Sequence, residues 1–488
     1  MKNKKKKVFI GLLVLFVVFI IYTIFNQFDI REVQGDLLGK SQEELFGKQN
    51  YNKENGFYRL FSLDEPEEVD VDSDEVYMKY RRLNDPKFDN KKYIMESKNW
   101  KKIDFNKKFK KSFKKFKNID KWFTQKTFNN TGWCNLILND KSDVEEMKTT
   151  LDIYLKRYQK MIDSQIYEDI TNVEFTSFDE KNKKLEIVEY DLIPNLFLWL
   201  KLAKAYNVIH SLDALEGNWE RGIKALISHI KFLRKGPRTN KVLITDLINK
   251  ANLRMTIASL NNLLNNKNCP IEMSELILEM PDLKYEEYSS RNALINEIIF
   301  SPMKKMFKNM IKDEVKFLAP ITLLYYQNNR TCKLYSKHVK NLLDFEKTIP
   351  YLWQKKIKIK QNFRKGLFWW VQNPVGKTFL NIYTNKVLPN IKYIKSKNIE
   401  LKSYFDMLKI FAELRLKYKG DKPVKEILKT LNSYNSLIDL CSGKPYKWNE
   451  EKKCLYSIGI DKKDNMGKYL VYTADNVDYP LQVVLFVK

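Results

Sequence analysis

The sequence predicts a mainly α-helical protein with an N-terminal transmembrane helix, an extracytoplasmic α-helical body and a small C-terminal antiparallel β module. Three observations predict this architecture. Residues 8–25 carry no charge, residues 143–402 show helical periodicity, and residues 442–488 contain short β-prone runs between turn residues. A chain of 488 residues is too long for one hydrophobic core, so about two to four structural units are expected.

The apolar run at residues 8–25 is long enough to span a bilayer, because 18 uncharged residues form about 27 Å of helix. Five lysines precede the run, whereas the only basic residues among the twenty that follow it are Arg31 and Lys40. The positive-inside rule therefore predicts a cytoplasmic N-terminus and an extracytoplasmic body. A cleaved signal peptide is the alternative. No small-residue cleavage site follows the run, which favours a retained single-pass anchor in the cytoplasmic (inner) membrane.

The charge balance is strongly basic, with 87 Lys and Arg against 60 Asp and Glu and a net charge of +27. Such an excess is compatible with nucleic acid, anionic lipid or a polyanionic wall polymer as partner. Only 13 of the basic residues are arginine, the side chain whose planar fork reads bases and phosphates. We therefore expect the membrane and an envelope protein as partners and no nucleic acid, while the oligomeric state stays open.

Residues 26–142 are predicted to be irregular apart from one amphipathic helix at residues 101–123. The phenylalanines of this segment recur at spacings of four, four and three residues, which places them on one helical face among lysines: Phe105, Phe109, Phe113 and Phe116. Two interpretations remain open. The stripe packs on the protein core, or the helix lies on anionic lipid headgroups.

The segment from residue 143 to residue 402 is predicted to be the helical body. Its first helix follows Ser142 or Asp143 as N-cap. Residues 195–237 predict a helical hairpin that turns at Gly217 and Asn218. The turn sequence "EGNWERGIKAL" resembles the inter-helix turn of tetratricopeptide repeats, but no second copy occurs at a fixed period. Further helices are expected at residues 241–265 and 286–318.

The sequence contains none of the common catalytic motifs. Its three histidines, His210, His229 and His338, are distant from one another, and no H-E-x-x-H, G-x-S-x-G, Walker or G-x-G-x-x-G pattern occurs. A structural or interaction role is therefore the favoured prediction. The alternative is an enzyme that acts on envelope polymers through buried carboxylates such as Glu297, which lies in an apolar run.

The last 86 residues, 403–488, predict a helix that stops at Gly420, a shorter helix after Pro423 and then three β-prone runs. Pairing residues 445–448 with residues 454–458 would place Cys454 opposite Lys447. The five cysteines form no C-x-x-C motif, and a disulfide between Cys441 and Cys454 is left open.

Two motifs in this segment carry a resemblance. The residues that match them are Asp439, Ser442, Gly443 and Pro445, followed by Leu455, Tyr456, Ser457, Gly459, Asp461 and Asp464. They resemble a D-P-x-S-G-x-P and L-Y-S-x-G-x-D module found in a family of bacterial membrane-anchored proteins of uncharacterised function. This ending is also similar to that of type II secretion major pseudopilins, where the corresponding loop holds calcium, so the resemblance implies a calcium loop here.

The residues of this loop independently suggest the same ion. Asp461, Asp464 and Asn465 supply hard oxygen donors within five residues, between Gly459 and Gly467. Calcium prefers such donors, so the sequence predicts a weak calcium site at this turn. A solvated turn without a metal is the alternative, since Lys462 and Lys463 add positive charge.

Overall fold

A computed structural model describes residues 59–60, 63, 141–164, 177–179, 184–186, 196–236, 243–300, 328–348, 377–378, 380–381, 391–460, 462–467 and 479–482. Within these residues the fold is mostly helical with a small antiparallel sheet near the C-terminus, as the sequence predicts. No helix of the described part is both long and apolar enough to cross a bilayer. The predicted anchor at residues 8–25 and the predicted helix at residues 101–123 lie outside the described residues.

The described residues belong to two compact units. Of the described residues, the smaller unit holds 295–300, 328–348, 377–378, 380–381 and 391, and the larger unit holds all the others. The helices are α1 Lys141–Ile162, α2 Leu196–Leu215, α3 Trp219–Leu233, α4 Leu243–Leu264, α5 Met273–Leu278, α6 Tyr285–Tyr288, α7 Arg291–Phe300, α8 Asn328–Lys347, α9 Ile391–Lys417, α10 Val424–Thr430 and α11 Asn432–Ser436. The strands are β1 Ser177–Asp179, β2 Lys184–Glu186, β3 Lys447–Asn449, β4 Cys454–Ser457 and β5 Tyr479–Gln482.

Helix α1 confirms the predicted first helix of the body. Its buried face includes Leu151, Tyr158 and Ile162, which are spaced at seven and four residues. The helix begins at Lys141 and an N-cap residue precedes its helix, so the predicted N-cap position, Ser142 or Asp143, is wrong by two or three residues. The two residues lie in the first turn instead.

Helices α2 and α3 form the predicted hairpin. Gly217 has φ +106, a conformation that L side chains rarely adopt, which explains why glycine occupies the turn. A Cβ on Gly222 would lie 2.4 Å from the backbone oxygen of His210. Glycine at this position therefore permits close contact between the two helices.

The core of the larger unit forms where α2 packs against α3 and α4, while α1 packs against α2. Helix α4 is buried on more than one side, and many of its buried residues are polar. The same hydrophobic core also includes Tyr446 and Leu455 of the C-terminal segment. Helical body and β module are thus parts of one packed unit.

The predicted domain boundary after residue 402 falls inside α9, which is continuous from Ile391 to Lys417. Helix α9 then ends before Gly420, which has φ +79, and α10 follows Pro423, as predicted. The three strands β3, β4 and β5 form an antiparallel sheet in sequence order.

The predicted hairpin register is wrong by two residues. Cys454 pairs with Asn449 rather than with Lys447, and Lys447 pairs with Tyr456. The loop between the strands therefore contains four residues, and Lys453 closes it with φ 46. A turn residue in the left-handed region is what allows this shorter loop to close.

Candidate functional site

The first candidate site is the C-terminal turn around Asp439, whose side chain joins the two motifs. Its Oδ1 accepts hydrogen bonds from the Cys441 backbone N–H at 3.0 Å and from the Ser457 hydroxyl at 2.6 Å. Its Oδ2 accepts from the Ser442 backbone N–H at 3.3 Å. Asp439 is 1% exposed, so these donors replace water as its hydrogen-bond partners. The carboxylate organises the turn and fastens it to β4.

A second buried acid fastens the module to helix α9. The Tyr446 hydroxyl donates to Asp406 Oδ2 at 3.0 Å, and Lys402 Nζ lies 2.5 Å from both carboxylate oxygens. Burial raises the pKa of Asp406, although the Lys402 ammonium opposes that shift. Burial, followed by the charge of Asp406, holds the pKa of Tyr446 well above its ordinary value. The phenol therefore stays protonated and remains a hydrogen-bond donor.

The predicted calcium turn is only partly described. Asp464 Oδ2 contacts the Lys447 ammonium, and its Oδ1 accepts from the Tyr456 hydroxyl at 3.1 Å and from the Met466 backbone N–H at 3.0 Å. The hydrogen bond from Lys447 is the main reason why the pKa of Asp464 is lowered. Asn465 donates to the Lys463 carbonyl at 3.5 Å.

These contacts fit calcium poorly, because the ion would have to displace a lysine ammonium from Asp464. No group of three or more potential metal ligands occurs among the described residues. Asp461, the third predicted ligand, lies outside them. Calcium binding stays a prediction.

The possible disulfide is absent from the structure. Cys441 and Cys454 are both buried, and no disulfide joins them. Cys269, in the loop after α4, is a third buried cysteine. Its Sγ lies 3.6 Å from Arg415 Nη1.

Two histidines that are distant in the sequence meet in the core of the larger unit. His210 of α2 and His229 of α3 pack against the Tyr206 ring, with centroid distances of 4.3 Å and 5.0 Å. Tyr158 of α1 lies against both His229 and Tyr206. Sequence reasoning missed this cluster, because the contact between the two histidines depends on how the hairpin packs.

His229 is fully buried and surrounded by hydrogen-bonding groups. Its Nε2 lies 2.7 Å from the Tyr158 hydroxyl, and its Nδ1 lies 3.2 Å from Asn207 Oδ1. A neutral ring that carries its proton on Nδ1 accepts from Tyr158 and donates to Asn207. Burial, together with the charge of His210, lowers the pKa of His229 to about 3. Burial also raises the pKa of Tyr158 well above its ordinary value.

His210 lies at the edge of this cluster, beside charged groups. Its Nδ1 is 3.3 Å from Asp213 Oδ2, which also lies 3.8 Å from Arg221 Nε. Burial lowers the pKa of His210, and the Asp213 carboxylate opposes the shift. An aspartate beside a histidine can orient a general base, but the described residues place no second reactive group against His210.

Five buried carboxylates among the described residues of the larger unit form ion pairs. The pairs are Asp246 with Lys250 at 2.7 Å, Glu287 with Arg234 at 2.6 Å, Glu400 with Arg254 at 2.8 Å, Asp406 with Lys402 at 2.5 Å and Glu413 with Lys417 at 3.0 Å. Arg234 also donates to the carbonyls of Pro281 and Asp282, so it fastens the loop before α6 to α3. Glu297 lies in α7, and its side chain is outside those described.

A further buried contact joins the start of α7 to α9. Lys250 Nζ donates to Asp246 Oδ2 at 2.7 Å and to the Ser290 hydroxyl at 2.6 Å. Asn398 donates from Nδ2 to the same hydroxyl at 3.1 Å. The Ser290 hydroxyl therefore contacts both Lys250 of α4 and Asn398 of α9, which lies 108 residues after Ser290 in the chain.

The chain significantly matches no protein-family model, no curated protein and no solved structure. Its candidate roles therefore depend on its own residues.

Proposed function

We propose that the chain is a single-pass protein of the cytoplasmic membrane whose extracytoplasmic body has a structural or interaction role. The observation that supports this role is the pairing of the buried carboxylates in the larger unit. Each of its described buried carboxylates has a cationic or hydroxyl partner within 3.0 Å.

Such pairing favours a scaffold over acid–base chemistry. A catalytic acid or base must exchange a proton with its substrate, whereas a paired and buried carboxylate would first have to lose its partner. Glu413 illustrates the point. Burial raises its pKa, yet hydrogen bonds from Ser433, Lys417 and the Asn432 backbone together outweigh burial, and the net pKa is lowered.

Long-range contacts also support a rigid body suited to holding a partner. The hydrogen bond from Tyr446 to Asp406 connects the β module to α9, and Lys409 of α9 donates to the Met280 carbonyl at 2.9 Å. A preorganised surface loses little conformational entropy when it binds, which favours recognition. The membrane part of the proposal depends on the apolar run at residues 8–25 and on its lysine asymmetry.

The role is tested by incubating the purified full-length chain with cell-wall material and measuring release of amide-linked or glycosidic fragments. We expect no release by the wild type. The matched control is Glu286→Gln, at an exposed position. If fragments are released, and release is lost in Glu297→Gln but retained in the control, the chain is an enzyme acting on envelope polymers and the proposal is wrong.

The partner is tested separately by photo-crosslinking in intact cells, with the crosslinker placed on the exposed face of the β module. A reproducible crosslink to one envelope protein is the expected result. Crosslinks to lipid alone would favour the anionic-lipid hypothesis instead.

A further inference from the structure

The interior of the helical core contains a small polar region between α2 and α4. Asn207 and Asn252 are 1% and 0% exposed. Thr256, which is also fully buried, joins them, because its Oγ1 lies 3.1 Å from Asn207 Oδ1 and 3.0 Å from the Asn252 backbone oxygen. Residues 252 and 256 are one helical turn apart and therefore share a face of α4.

Several amide atoms of this region lack a protein partner. Asn207 Nδ2 and both side-chain atoms of Asn252 make no hydrogen bond with any described residue. A buried amide that leaves water without a new partner is costly, and native structures rarely keep such groups unsatisfied. Here two buried amides share that condition, one on each of two helices that pack against each other.

We infer that this region is a binding site for ordered water, with at least one molecule between Asn207 and Asn252. Water can accept a hydrogen bond from an amide N–H and donate one to an amide oxygen, so a single molecule serves both side chains. A metal ion would be repelled by the Nδ2 hydrogens. The adjacent His229 is neutral in the fold, so its ring offers a charged solute no counter-charge.

The direct test is an experimental structure of the full chain at a resolution that shows ordered solvent. A solvent peak within about 3 Å of Asn207 Nδ2 and of the Asn252 amide is expected. A dry interior, or side chains turned toward protein partners, would overturn the inference. A density too large for water would also overturn it and would indicate a different small polar ligand.

The variant Asn252→Leu provides a second test, in which the direction of the change in Tm decides. If water bridges the amides, the substitution removes its hydrogen bonds and leaves Asn207 Nδ2 unpaired, so Tm falls and the solvent peak disappears. If the region is dry, the substitution removes an unsatisfied amide and Tm rises. A rise in Tm would therefore overturn the inference. If this variant does not fold, the solvent peak of the wild type decides.

Discussion

Acid should destabilise the larger unit through His229. The ring is neutral in the fold because its pKa is lowered from 6.5 to about 3, whereas in the unfolded chain it binds a proton near its ordinary pKa. The stabilisation from this lowered pKa is complete above 6.5 and is lost as the pH falls toward 3. Each pH unit in that window costs about 1.4 kcal/mol.

Between about pH 7 and about pH 5, this one residue should therefore remove about 2 kcal/mol from the free energy of unfolding. The assay is denaturant unfolding of the full chain in detergent at both pH values, for the wild type and for His229→Gln. Glutamine does not titrate, so its pH difference should be smaller by that amount, although its absolute stability is lower. His338 and the carboxylates titrate in both proteins and cancel. Because His210 acts on His229, the comparison is repeated with His210→Gln in both proteins. Equal pH differences in the two proteins would refute the reasoning.

Three other changes have defined outcomes. Gly222→Ala places a Cβ 2.4 Å from a backbone oxygen of α2 and should cost about 1 to 3 kcal/mol or more in thermal unfolding; unchanged stability would contradict the close helix contact. Tyr446→Phe removes the hydrogen bond to Asp406 and should lower the free energy of unfolding by about 1 to 3 kcal/mol. The control Tyr434→Phe, at a half-buried tyrosine, should lower it by less. Equal effects of the two variants would argue against the link to α9. If calcium binds with Kd on the order of 10⁻⁴ M, about 1 mM calcium should add about 1.4 kcal/mol, and Asp461→Ala should abolish that gain; identical melts with calcium and chelator would exclude the site.

Local signals explain which elements could be predicted. The hairpin of α2 and α3 was predicted because a glycine that must adopt positive φ separates two apolar runs, and Gly217 does so with φ +106. The break between α9 and α10 was predicted in the same way from Gly420 and Pro423. The strands were predicted from β-prone runs, but their register depends on loop closure, which a left-handed Lys453 decides.

The candidate sites depend on contacts that a single sequence does not contain. Helix α2 is apolar on several sides, so its pattern does not indicate which face meets α3, and the meeting of His210 with His229 could not be foreseen. Asp439 and Ser457 both belong to the quoted motifs, but the sequence does not show that they contact each other, because the contact forms only when β4 folds beside the turn. Asp464 was predicted as a metal ligand because oxygen donors cluster around it in the sequence. Its contact with Lys447 could not be foreseen, because that contact depends on the sheet register.

The most direct test of the central claim is the topology of the full-length chain in cells. Two fusions are made after Lys488. The first carries a reporter that is active only outside the cytoplasm, and the second carries a reporter that is active only inside it. The lysine asymmetry around residues 8–25 predicts that the first fusion is active and the second inactive, with the protein retained in the membrane fraction. Activity of the cytoplasmic reporter alone, or a mature N-terminus between residues 26 and 45, would contradict the membrane-anchored extracytoplasmic assignment.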